Sequence, residues 1–155
     1  MFNTRLRADA KAKGKWITKE GGGYTAVGVG GALTGRGFKF GFIDDPFKNR
    51  IEADSITIRE VRHKWYQSTF YTRQEGNTMI AFILTPWHED DLAGRVLKEA
   101  IEAKKRGEEH DEWEIIEFKA IATEEDAHRK EGEALWRRQS PGPALTLMHE
   151  SVGIS

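Results

Sequence analysis

The sequence predicts an α/β fold, a parallel or mainly parallel sheet with flanking helices. Three observations predict it. Two apolar runs, residues 38–43 and 79–84, each stop at a polar corner that contains a proline. A stripe with helical spacing lies between them and a second one follows. A third run, residues 113–119, completes the order strand, helix, strand, helix, strand, which is the order of parallel strands joined by crossovers.

Composition narrows the class. A chain of 155 residues fills one ordinary domain. With 38% hydrophobic and 32% charged residues and a net charge of −1, it reads as globular and polar rather than collagen-like or one-signed and disordered. No apolar run approaches the ~20 residues of a membrane span, and the basic N-terminus lacks the apolar segment of a secretory signal. The absence of cysteine excludes disulfides, thiolate zinc sites and cysteine nucleophiles. Charge is uneven. Residues 1–16 hold five basic side chains against Asp9 alone, and residues 108–126 hold nine acids against Lys119 alone. The basic end reads as a solvated helix or fraying terminus, with phosphate contact as the alternative. The acidic stretch reads as a solvated face.

The elements follow in order. Nine of the 16 glycines fall between positions 21 and 41. Residues 16–18 and 24–28 read as short strands joined by a glycine-rich turn, and a loop over 30–37 leads into the strand at 38–43. Ile58, Val61, Trp65 and Thr69 mark a helix within 52–72. Its cap is Asp54 or Ser55, or a capping box over Thr57 and Glu60 one turn later. Residues 79–84 lack alternation, which predicts a strand buried on both faces. A second helix spans 90–106, with acids first and Lys104-Lys105-Arg106 last, as the helix dipole favours. Beyond residue 121 the pattern weakens, and Ser140-Pro141-Gly142-Pro143 breaks it. All five tryptophans default to core packing.

In open parallel sheets, ligands bind beyond the carboxyl ends of the strands. Here those ends read Asp44-Asp45-Pro46 and Thr85-Pro86-Trp87-His88. Paired carboxylates at a strand end hold Mg²⁺ in nucleoside triphosphatases, and a polar tip on the next strand lies close to the nucleotide. The ordinary alternative is turn capping. No GxxxxGK[ST] phosphate loop occurs, and Leu33 stands where a GxGxxG fingerprint needs its third glycine. His88 and Asp91 stand three apart, as metal ligands can, but a hydrogen-bonded helix start is favoured. Arg36 sits between Gly35 and Gly37, a tip suited to an arginine that reaches phosphates in cis or in a neighbouring subunit. The alternative there is an exposed turn arginine.

Taken together, these motifs resemble a known family. Gly28-Val-Gly-Gly-Ala-Leu-Thr-Gly-Arg-Gly37, Phe42-Ile-Asp-Asp-Pro-Phe-Lys48, Trp65-Tyr66, Tyr71-Thr72-Arg73 and Thr85-Pro-Trp-His-Glu-Asp-Asp-Leu-Ala-Gly-Arg95 are similar to the ATPase domain of tailed-bacteriophage terminase large subunits. Gly132-Glu-Ala-Leu-Trp136 extends the likeness, which runs from residue 16 to residue 136. The family packages viral DNA into capsids, with a P-loop (ASCE-type) ATPase domain and a separate RNase H-like nuclease domain. The resemblance implies that Asp44 is the Walker B carboxylate, holding Mg²⁺ and through it ATP. Asp45 stands where many relatives carry a catalytic glutamate, one methylene longer, and belongs to the same metal site. Thr85 matches the motif that couples nucleotide state to movement, and Arg36 lies where an arginine finger arises.

The implied partners are double-stranded DNA, the small terminase subunit, the portal and other large-subunit copies, with no membrane, in the host cytoplasm during virion assembly. On this reading residues 1–139 form a partial ATPase domain and 140–155 a breaker and tail. The Walker A segment is expected before residue 1 and the nuclease domain after residue 155. The chain alone is then expected to be inactive. The alternative reading is a non-enzymatic prophage remnant or an assembly or DNA-binding module.

Overall fold

The computed structural model describes residues 4–12, 14–33, 35, 37–125 and 128–135. The chain divides into two compact units, Met1–Asp111 and Glu112–Ser155. The first is α/β as expected, but in place of one mainly parallel sheet it carries two separate sheets, one antiparallel and one parallel, because the glycine-rich turns of the N-terminal segment join its strands as hairpins.

The first sheet is three-stranded and antiparallel, in the order β1 (Leu6–Ala12), β2 (Lys15–Thr18), β3 (Gly23–Thr25). The expected pair of short strands is present, joined by a turn in which Gly21 has φ 90°, a region that glycine enters without cost. Trp16 stacks on Tyr24 with centroids 5.3 Å apart, a cross-strand aromatic pair that fixes the register. The basic N-terminal stretch is a strand rather than a helix or frayed end. Its backbone groups find partners along β2, and Lys19 N–H donates to Arg5 O at 2.9 Å.

The second sheet pairs β4 (Phe38–Asp44) with β5 (Gln74–Ile83) in parallel. Between them run α1 (Arg50–Asp54), α2 (Ile56–Trp65), a π-helical turn over Tyr66–Phe70 and a 3₁₀ turn over Tyr71–Arg73. Ser55 ends α1 and caps α2, its hydroxyl accepting from Ile58 N–H. After β5 comes α3 (Leu92–Arg106), capped by Asp91, so Asp90 and Asp91 precede the helix instead of forming its first turn. Gly107, at φ 70°, closes its C-terminus.

Parallel partners share a face. Gly41, Ile43, Ile80 and Phe82 form the inner one. Gly41 lets Phe38 and Phe70 approach the sheet, since a Cβ there would lie 2.6 Å from Phe70 Cζ. Phe38, Trp65, Tyr66, Phe70 and Phe82 make a continuous aromatic layer, with neighbouring centroids between 4.7 and 6.0 Å. Phe47, Ala53, Leu92 and Val96 are also buried. The outer face differs from expectation. Phe40, Phe42, Met79 and Ile83 are 51–59% exposed, so β5 is buried on one face and not on two.

The predicted third strand is absent. Residues 113–119 have no regular structure, and Ile115, Ile116 and Phe118 are exposed. An apolar run gives β propensity, but a strand also needs an edge to pair with. In this second unit, a bridge between Ile121 and Ala134 buries Ala122. The breaker and tail at 140–155 lie outside the described residues, as does Trp136.

Candidate functional site

The parallel register brings two strand tips together. Asp44, the last residue of β4, lies opposite Ile83, the last of β5. One residue on, Asp45 N–H donates to Ile83 O at 2.9 Å, prolonging the ladder past both strands. Asp45 takes φ 41°, the only left-handed non-glycine among the described residues. Aspartate tolerates that region better than most side chains. The turn then drops Pro46 and Phe47 into the core. Thr85 follows β5 by two positions. Asp44, Asp45 and Thr85 are all exposed, and none of their side chains has a hydrogen-bond or ion-pair partner among the described residues.

Two adjacent, unpaired carboxylates are hard oxygen donors. Mg²⁺ is characteristically held by one or two carboxylates, with phosphates and water completing its shell. The donor set at this tip fits that ion. Among the described residues no group of three or more acids and histidines gathers to form a closed metal cage.

The segment from His88 to Arg95 is differently built. His88 Nδ1 accepts from Asp90 N–H at 2.9 Å, and Asp91 Oδ1 accepts from Gly94 N–H at 3.0 Å. Asp90 is clamped by two arginines, receiving Arg59 Nε at 3.1 Å and Arg95 Nε and a terminal nitrogen at 3.0 and 2.7 Å. Arg95, through its hydrogen bonds first, holds the Asp90 carboxyl below the usual carboxylate range. Arg59 is 7% exposed and also donates to Ala53 O at 2.6 Å, tying α1, α2 and the start of α3 together. Gly94 is confined by Glu89, whose carbonyl a Cβ would strike. These interactions are those of a hydrogen-bonded helix start.

A family model described as terminase large subunit, T4likevirus-type, N-terminal, matches residues 13–143. The chain belongs to that family. Membership places it among the phage DNA-packaging terminases and agrees with the likeness read from its motifs. Comparison with curated proteins and with solved structures gave no match. Among the described residues no helix is long and apolar enough to cross a membrane.

Within this terminase chain, Arg36 itself lies outside the described residues. Its neighbours Gly35 and Gly37 precede β4, whereas Asp44 ends it. Six strand residues lie between Gly37 and Asp44, roughly 20 Å at the usual rise. The glycine loop before it folds against α2, where Trp65 Nε1 donates to Gly31 O at 2.9 Å. Sequence reasoning missed Arg59. The available signal was an arginine one turn after the Ser55 cap, on the side of α2 that also carries Arg62 and Trp65.

Proposed function

We propose that this chain carries the metal-binding edge of an ATP-driven motor that packages double-stranded DNA into capsids, within a P-loop ATPase fold. One observation carries the reading. Two parallel strands end side by side on unpaired carboxylates and a threonine, in a chain of the terminase family. Asp44 is the Walker B carboxylate and, with Asp45, holds Mg²⁺. When bound, the ion offsets the charge of the ATP phosphates. The Asp45 carboxylate orients the attacking water. Thr85, at the adjoining tip, senses the nucleotide and passes its state to α3.

Arg36 acts in trans in this scheme. Its neighbours Gly35 and Gly37 precede β4, at the end opposite Asp44, which suits an arginine finger aimed at the nucleotide of a neighbouring copy. Other large-subunit copies, the small subunit and the portal are then its partners in the host cytoplasm. The 155 residues contain no GxxxxGK[ST], so the phosphate cradle comes from other residues.

The test is hydrolysis. The chain alone turns ATP over slowly or not at all, because Asp44 and Asp45 repel uncradled phosphates. Adding a segment that bears the phosphate loop restores turnover, and Asp44→Asn abolishes it. Robust turnover by the chain alone, unchanged by Asp44→Asn, would contradict the proposal.

A further inference from the structure

The opposite end of the parallel sheet holds a second polar constellation. Gly35, Gly37, Thr72, Arg73, Gln74 and Glu75 line a cavity of about 270 Å³ where β4 and β5 begin. Arg73 has no ion-pair partner among the described residues, and its Nε is shielded from solvent without a hydrogen-bond partner. A shielded guanidinium nitrogen with an unspent donor is costly and calls for an acceptor. The Thr72 hydroxyl donates to Ser68 O at 3.1 Å and makes no hydrogen bond with Arg73 Nε. Glu75 packs against Gly37 and leaves Arg73 unpaired.

The backbone is shaped around this position. The chain passes from α2 through the π-helical turn Tyr66–Phe70 and the 3₁₀ turn Tyr71–Arg73 before entering β5. Departures from α geometry of this kind recur at functional sites. Here the distorted turns are anchored by the buried rings of Tyr66 and Phe70 and deliver Arg73 at their last residue. On the same cavity wall, Gly35 has open space where a side chain would stand, which lets a ligand come close, while Glu75 covers Gly37.

We propose that this cavity is a binding site for a phosphate group, with Arg73 as its principal ligand. A guanidinium matches the oxygens of phosphate in a bidentate fork, as a lysine does not. Glu75, which also lines the cavity, limits affinity by repulsion and so makes the site weak and responsive to its charge. The site goes beyond the role of Asp44 and does not depend on it. The phosphate comes from a nucleotide or from the DNA backbone, and the two arms of the experiment separate these.

The whole 155-residue chain is titrated with tripolyphosphate and, separately, with a short DNA duplex at equal phosphate concentration, and followed by ¹H–¹⁵N NMR. The expected result is a saturable shift of the Arg73 Nε–Hε signal and the Gly35 and Gly37 amides. Response to tripolyphosphate alone assigns a nucleotide-type phosphate, and response to the duplex assigns the DNA backbone. Arg73→Gln weakens binding roughly tenfold or more, and Arg73→Lys keeps part of it. Glu75→Gln strengthens binding, a readout that does not require Arg73 to be altered. No shift at these positions with either probe, or equal binding by Arg73→Gln, would overturn the proposal.

Discussion

The chain contains two Asp-Asp pairs, and the fold treats them in opposite ways. Asp90 and Asp91 are absorbed into structure. Asp90 lies under two arginines, and Asp91, 3% exposed, caps α3. Asp44 and Asp45 stand at a strand tip, exposed and without a cationic partner among the described residues, with Asp45 in a left-handed backbone conformation. Both pairs follow an apolar strand and precede helical segments, so their surroundings in sequence are similar. The difference lies in what reaches them. Arg59 comes from 31 residues away in sequence to neutralise Asp90, and among the described residues nothing comparable pairs with Asp44. An acidic pair that the fold neutralises stabilises the fold. A pair left without partners adds no such contacts and leaves its carboxylate oxygens accessible to a ligand.

Stability measurements sharpen the contrast. The largest loss is expected for Gly94→Ala, which drives a Cβ into the Glu89 carbonyl and dislodges the helix start, at about 3 kcal/mol in urea unfolding. Asp90→Ala follows at about 2 kcal/mol. It leaves Arg59 buried without its carboxylate, but Asp90 itself is 41% exposed, which lowers the cost below that of a fully buried pair. Asp91→Ala removes a cap and costs about 1 kcal/mol. At the strand tip the same chemistry has little or opposite effect. Asp44→Asn changes stability by less than about 0.5 kcal/mol, since no partner is lost. Asp45→Gly is neutral or slightly stabilising, because glycine adopts φ 41° without strain. A tip variant as damaging as Asp90→Ala would erase the distinction.

Acid titration separates the pairs in another way. The folded-state carboxyl of Asp90 is depressed below its unfolded value. Its contribution is therefore complete above the ordinary aspartate range and is lost as the pH falls through the depressed folded value. Asp90→Asn flattens this acid limb of the stability curve, read by unfolding at a series of pH values. A curve unchanged in that variant would show that the arginine clamp does not govern it.

The strands at 38–43 and 79–84 were legible because apolar runs bounded by proline corners leave few alternatives, and their parallel pairing brought the tips together as the crossover order implied. The helix at 90–106 was legible from its charge polarity, although the structure makes Asp91 a cap. Other features depend on partners that local pattern does not name. The strand Leu6–Ala12 exists because β2 pairs with it. Residues 113–119 carry the apolar run that predicts a strand and have no regular structure. The π-helical turn at Tyr66–Phe70 follows from the aromatic layer, and the burial of Arg59 from an acid far away in sequence. Carboxylates at a strand tip were visible as candidates. That one pair would be neutralised and the other left bare was not, because charge compensation is tertiary.

The central claim is that the bare pair, and not the neutralised one, receives the divalent cation. Paramagnetic broadening by Mn²⁺, a Mg²⁺ substitute that reports even weak binding, tests this on the whole chain by ¹H–¹⁵N NMR. The account predicts that the amides of Asp44, Asp45 and Thr85 broaden first, that those of His88, Asp90 and Asp91 are spared at the same concentration, and that Asp44→Asn removes the effect. Broadening centred on residues 88–91, or broadening at the tip that survives Asp44→Asn, would contradict it.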